Sequence, residues 1–129
     1  MPLSRIDVIE GRSPDQLRLL LDVLHRCVVE AFEVPERDRF QVVTQHRPGE
    51  MVLEDVGLGF ERSDGMVLVQ ITTTPRTLKS RKAFYALAAD RLQGICGLDP
   101  RDLMINMVTA SESDWSFGMG RAQFLTGEL

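Results

Sequence analysis

The chain has 129 residues, 43% of them apolar, and a net charge of −4 from 15 basic and 19 acidic side chains. That length suits one domain, residues 1–129, able to bury roughly two-thirds of its unfolded surface. The mild acidity leaves no basic footprint for nucleic acid. No apolar run is long enough to span a bilayer, and Met1–Ile9 lacks the charged-then-apolar pattern of a signal peptide. A cytoplasmic protein without a membrane or nucleic-acid partner is expected.

Pro2 follows the initiator methionine. Aminopeptidases remove Met1 before a residue this small, which would leave a free secondary amine at the start of the mature chain. A free α-amino group titrates at about 7.7–8.0, and burial or a neighbouring charge moves that value. Such a nitrogen can act as general base, general acid or iminium-forming nucleophile with no metal or cofactor. Many chains begin Met-Pro without catalytic use, so Pro2 gains meaning only from what surrounds it.

Leu3–Ile9 reads as a strand. Ser13 then offers an N-cap, Pro14 fits the first helical position, and Gln16 stands where a capping box requires Glu or Gln. Leu17, Leu20, Leu21, Leu24, Val28 and Ala31 follow at the spacing of one buried helix face. Val34–Asp38 makes a turn into a strand over Phe40–Thr44. The order then repeats: a β-branched strand over Met66–Thr73, a helix over Lys79–Cys96 stopped by Gly97, a turn at Leu98–Asp102, and a strand over Leu103–Thr109.

The two halves, about 2–64 and 65–129, keep a constant register. Arg12 and Arg76, Arg37 and Arg101, and Asp38 and Asp102 each stand 64 residues apart. The same offset pairs Leu20 with Phe84, Leu24 with Ala88 and Val28 with Leu92. A duplicated β-α-β unit is the economical account. It predicts an α+β fold, a four-stranded sheet with two helices on one face. Val67, Leu68, Val69 and Ile71 read as apolar on both sides of that sheet, so its open face needs cover, and a ring of subunits would supply it. Position 66, the counterpart of Pro2, is Met66 in mid-chain. Any site built on a terminal proline therefore occurs once per subunit.

Cys27 and Cys96 lack metal or redox spacing and read as reduced thiols. His25 and His46 stand alone, so no metal site is expected. Asp38 by itself reads as a turn residue. Arg37 and Arg39 read as surface charges, and Trp115 and Phe117 as cover for an edge strand.

The duplicated unit opening on Pro2 resembles the tautomerase superfamily. Val34-Pro35-Glu36-Arg37-Asp38-Arg39, Arg47-Pro48-Gly49-Glu50-Met51, Asp114-Trp115-Ser116-Phe117-Gly118 and Arg121-Ala122-Gln123-Phe124-Leu125 are similar to its malonate semialdehyde decarboxylase branch. The resemblance runs the length of the chain. It implies the two-layer tautomerase (MIF-like) fold and a homotrimer with the three sheets facing inward. It also implies a catalytic role for Pro2, assistance from Asp38, and a carboxylate held by an Arg-Pro-Arg segment. That segment here reads Thr74-Pro75-Arg76, so Arg76 is kept and Thr74 replaces the first arginine. An apolar wall would come from Trp115, Phe117, Phe124 and Leu129.

Three functions fit these residues. The first is cofactor-independent decarboxylation of a small 3-oxo acid such as malonate semialdehyde, with a possible hydratase side activity. The second is keto–enol tautomerisation of a 2-keto acid such as phenylpyruvate. The third is a non-catalytic trimeric binding protein, expected if Met1 is retained and the Pro2 nitrogen stays an amide.

Overall fold

In the computed structural model, which describes residues 1–129, the chain runs β1 (Leu3–Ile9), α1 (Pro14–Phe32), β2 (Phe40–His46), β3 (Val67–Thr73), α2 (Leu78–Cys96) and β4 (Leu103–Thr109). A 3₁₀ turn at Pro100–Asp102 leads into β4, and α3 (Gln123–Thr126) is a single turn near the end. The strands order β2-β1-β3-β4. Each β-α-β unit pairs its own strands in parallel, and the units meet through the antiparallel β1–β3 pair. No helix is long and apolar enough to cross a membrane.

Both long helices start on the residues that their caps dictate. The Ser13 side chain accepts from the Gln16 amide while the Gln16 side chain accepts from the Ser13 amide, and Pro14 opens the helix. Thr77, 64 residues on, caps α2 in the same way by accepting from the Ser80 amide. Both helices end in a left-handed residue at matching positions, Glu33 and Gly97. After α2 the Gly97 and Leu98 amides return to the Gln93 and Leu92 carbonyls, which stops the helix there.

The duplication extends to the core. Leu20, Leu24 and Val28 of α1 and Phe84, Ala88 and Leu92 of α2 are all buried against the sheet. Bulk is exchanged between equivalent positions: Leu20 corresponds to the larger Phe84, whereas Leu24 corresponds to the smaller Ala88. Phe84 also stacks on Phe32 with ring centroids 5.2 Å apart. Leu17, Leu21 and Ala31, expected on the same face, lie half-buried at its margin.

Val67, Val69 and Ile71 are fully buried toward the helices, and of the four residues read as two-sided only Leu68 lies on the open face. The strand alternates with period 2, although its sequence hides it: Gln70 is the sole polar residue to break the apolar run. By register the open face carries Leu3, Phe40, Val42, Leu68 and Val108, with Arg5, Asp7, His46 and Gln70 among them. His46 Nε2 donates across to Asp7 Oδ1 at 2.6 Å. The open face is thus mixed, and Phe40, Val42 and Val108 are its exposed apolar side chains.

Phe84→Ala removes the largest fully buried side chain and should cost about 3–5 kcal/mol, read as a lowered urea midpoint at unchanged slope.

Candidate active site

Pro2 is buried where the chain enters β1, one step beyond the Leu3–Thr72 pair. Its neighbours across the sheet are therefore the last residues of β3 and the segment Thr73-Thr74-Pro75-Arg76. The turn after α1 brings Asp38 to the same end of the sheet.

Asp38 is buried, and its amide donates to the Pro35 carbonyl at 3.0 Å. Its carboxylate oxygen Oδ1 is also buried and has no hydrogen-bond partner. Burial therefore pushes this carboxyl above its usual range, while the terminal amine, Arg76 and His25 pull it back down. The terminal amine, carried by Met1, is shifted below its usual value. Burial is the main cause, Asp38 opposes it, and Arg76 adds to it. An amine, a carboxylate and a guanidinium thus sense one another in a poorly solvated corner.

Arg76 is firmly placed. Nε donates to Thr73 Oγ1 at 3.1 Å, Nη1 to the Phe32 carbonyl at 3.2 Å, and Nη2 to Thr74 Oγ1 at 3.4 Å. The guanidinium also lies 5.3 Å from the centroid of the Phe32 ring. A guanidinium has five N–H groups, so two remain for an anion. Thr74 is thereby an aligning partner of Arg76.

The aromatic wall forms on the other side of the strand ends. Trp115 stacks on Phe117 at 5.5 Å, Phe117 on Phe40 at 5.5 Å, and Phe124 meets the Phe117 edge at 5.6 Å. The Gln123 side chain fixes this loop by accepting from the Phe117 amide and donating to the Gly118 carbonyl. Leu3, Phe40, Thr72, Ala110, Trp115 and Phe117 are among the residues lining a cavity of about 560 Å³. Leu3 and Phe40 lie one and two residues beyond Pro2 and Asp38, so the cavity adjoins the polar corner. Pro2, Asp38 and Arg76 do not line it, and Leu129 is 62% exposed at the chain end. Phe40 is the wall residue that sequence reading missed; an aromatic at the first residue of a strand, two after a candidate acid, was the available signal. No cluster of three His, Cys, Asp or Glu side chains is placed to hold a metal ion.

The second half builds the mirror of this corner and closes it. Asp102 is buried like Asp38, but its two oxygens accept from the Ser63 amide and the Ser63 hydroxyl, each at 2.6 Å. Arg12 donates to the Gly65 carbonyl at 2.7 Å. Only the first half leaves its carboxylate open.

A family model described as tautomerase enzyme matches residues 38–118, and a second of the same description matches residues 2–61. The chain belongs to the tautomerase family. It is 48% identical over its full length, and over the whole of that protein, to the probable tautomerase YrdN of Bacillus subtilis (strain 168). It is 34% identical over 126 residues to the probable tautomerase YusQ of the same organism, covering 97% of this chain and 99% of YusQ. Among solved structures it matches malonate semialdehyde decarboxylase, described with decarboxylase and hydratase activities, at 48% identity and a TM-score of 0.96 over 98% of each chain. FG41 malonate semialdehyde decarboxylase inhibited by 3-bromopropiolate matches at 39% identity and a TM-score of 0.95, over 98% of this chain and 97% of that one. The tautomerase chain therefore sits in the malonate semialdehyde decarboxylase branch. Fused 4-OT shares the fold at 18% identity, with a TM-score of 0.78 over 97% of this chain and 98% of that one.

The raised Asp38 carboxyl has a measurable consequence. A carboxyl whose folded value lies above its unfolded one binds its proton more tightly when folded. Its contribution is full below the usual carboxylate range and is lost as pH rises through the folded value. Asp38→Asn, permanently neutral, should therefore melt above the wild type at pH 7, and the two curves should converge below about pH 4. Melting midpoints across that range measure it, and a wild type no less stable at pH 7 would contradict a strained carboxylate.

Proposed function

We propose that this chain is a cofactor-independent enzyme that uses the Pro2 amine, freed by removal of Met1, to decarboxylate a small 3-oxo acid of the malonate semialdehyde type. The single observation that carries this reading is the buried, unpartnered Asp38 oxygen beside a terminal amine and Arg76. An unsatisfied buried carboxylate costs stability, and a reacting ammonium is the partner such a group lacks.

In this reading Arg76 binds the substrate carboxylate with its two unused N–H groups. Pro2, in its protonated form opposite Asp38, donates a hydrogen bond to the carbonyl oxygen at carbon 3. The bond between carbon 2 and the carboxyl carbon breaks, CO2 departs, and the electron pair is taken up as an enolate that the prolinium stabilises. Protonation of carbon 2 then yields the aldehyde. An iminium at Pro2 would serve as the same electron sink, from a neutral amine. The wall of Trp115, Phe117, Phe124 and Phe40 strips water from the departing carboxylate. With the same pair, Asp38 could direct water onto an unsaturated acid, a hydratase side reaction.

A homotrimer with the sheets inward is part of this proposal. Support comes from the exposed Phe40, Val42 and Val108 on the open face, and fused 4-OT, which shares the fold, is described as a trimer. A cytoplasmic setting fits two free thiols.

A second reading is favoured by two observations. Thr74 weakens the grip on a carboxylate, and the aromatic cavity exceeds the size of a three-carbon acid. Both fit keto–enol tautomerisation of a 2-keto acid such as phenylpyruvate, with Pro2 neutral and acting as base. If intact mass finds Met1 retained on the native protein, both catalytic readings fall and the binding-protein reading stands.

Pro2→Ala should lower the rate of acetaldehyde release from malonate semialdehyde by about 10²–10⁴-fold. Equal rates would reject the enzyme reading, and loss confined to phenylpyruvate would select the second. Thr74→Arg should tighten carboxylate binding, with a KM about tenfold lower for one added charge-assisted hydrogen bond.

A further inference from the structure

His25 is buried on α1, 8% exposed, and the chemistry above gives it no role. Its Nε2 lies 2.7 Å from the Glu36 carbonyl oxygen. A carbonyl only accepts, so Nε2 carries the proton and donates. Glu36 belongs to the tight turn closed by the Asp38 amide on the Pro35 carbonyl. Pro35, Glu36 and Arg37 are exposed and have no cover of their own. The imidazole thus ties this turn to the helix two residues before the open carboxylate.

The second half shows what the tie replaces. Sixty-four residues beyond His25 stands Ala89, which can donate nothing from its side chain. There the carboxylate itself is clamped, by the amide and hydroxyl of Ser63 on Asp102. The turn is further held by the Asp102 amide on the Asp99 carbonyl and by the Asp99 side chain on the Arg101 amide. Asp38 cannot be held through its oxygens and still meet an amine and a substrate. Its fixing point is instead the backbone.

We propose that His25 is a positioning residue, whose Nε2–H bond to the Glu36 carbonyl sets the Asp38 carboxylate against the terminal amine. The inference rests on the reading that Pro2 and Asp38 form the reactive pair. Misplacing a reacting group by 1 Å costs on the order of 10²-fold, so the bond acts on turnover more than on substrate binding.

Two variants separate this role from simple core packing. Glutamine carries its Nε2 about as far along the side chain as histidine, whereas the asparagine amide falls short of Glu36. His25→Asn should lower kcat by about 10–100-fold with KM within about threefold, and hydrogen exchange of the Asp38 amide should quicken. His25→Gln should restore kcat to within about threefold of wild type and restore the slow exchange. Both are assayed in the processed full chain on malonate semialdehyde and on phenylpyruvate, with circular dichroism as the check on folding. His25→Asn at wild-type kcat, or His25→Gln as slow as His25→Asn, would overturn the proposal. Should His25→Asn fail to fold, the glutamine variant decides alone, because a kcat tenfold below wild type rejects the tie. Turnover unaffected by Pro2→Ala would sink the reactive-pair reading instead, whereas the His25–Glu36 tie would still show in the Asp38 amide exchange of the His25 variants.

Discussion

A buried carboxylate oxygen with no hydrogen-bond partner is the constraint on which this structure turns. Asp38 is removed from water yet left unpaired, and the groups that offset its charge are an amine and a guanidinium that touch it only through the field. Asp102, at the equivalent place, is instead doubly bonded to Ser63. Arg76 supports the open site without closing it. Three of its N–H groups are spent on Thr73, Thr74 and the Phe32 carbonyl, and its ring partner Phe32 is itself stacked on Phe84 in the core. The cation is thereby anchored to the hydrophobic core.

Duplication explains the frame, and departure from duplication explains the site. Caps, helix stops and core positions recur at one interval, so each half folds by the same local rules. The halves then differ where chemistry is needed. Pro2 in one answers to Met66 in the other, an open aspartate to a clamped one, and His25 to Ala89. A tautomerase built this way has the parts for one site per subunit while keeping the packing of two.

Much of the fold was legible because its signals are local. Ser13, Pro14, Gln16 and Gly97 fix the helix ends through bonds reaching three to six residues, and β1 and β4 fall on Leu3–Ile9 and Leu103–Thr109 as read from their patterns. The β3 run hides its alternation because the apolar Leu68 of the open face stands between the buried Val67 and Val69, and only strand pairing separates the two faces. Of the candidate site, Pro2, Asp38 and Arg76 could be named from motifs, and the structure places them at one end of the sheet. Phe40 and His25 escaped notice because nothing in a single strand or helix marks them; their meaning comes from Phe117, 77 residues on, and from the Glu36 carbonyl.

The sequence by itself determined the repeated β-α-β grammar, the helix boundaries and the break in the repeat at Pro2 and Met66, since each depends on neighbours or on a fixed interval. Tertiary structure decided which of the two equivalent aspartates stays open. Ser63 reaches Asp102 across 39 residues, and no local pattern records a contact at that separation. The same holds for the Arg76 guanidinium on the Phe32 carbonyl, 44 residues away. Which polar groups are satisfied and which stay open is decided over such separations, and only once the chain has closed on itself.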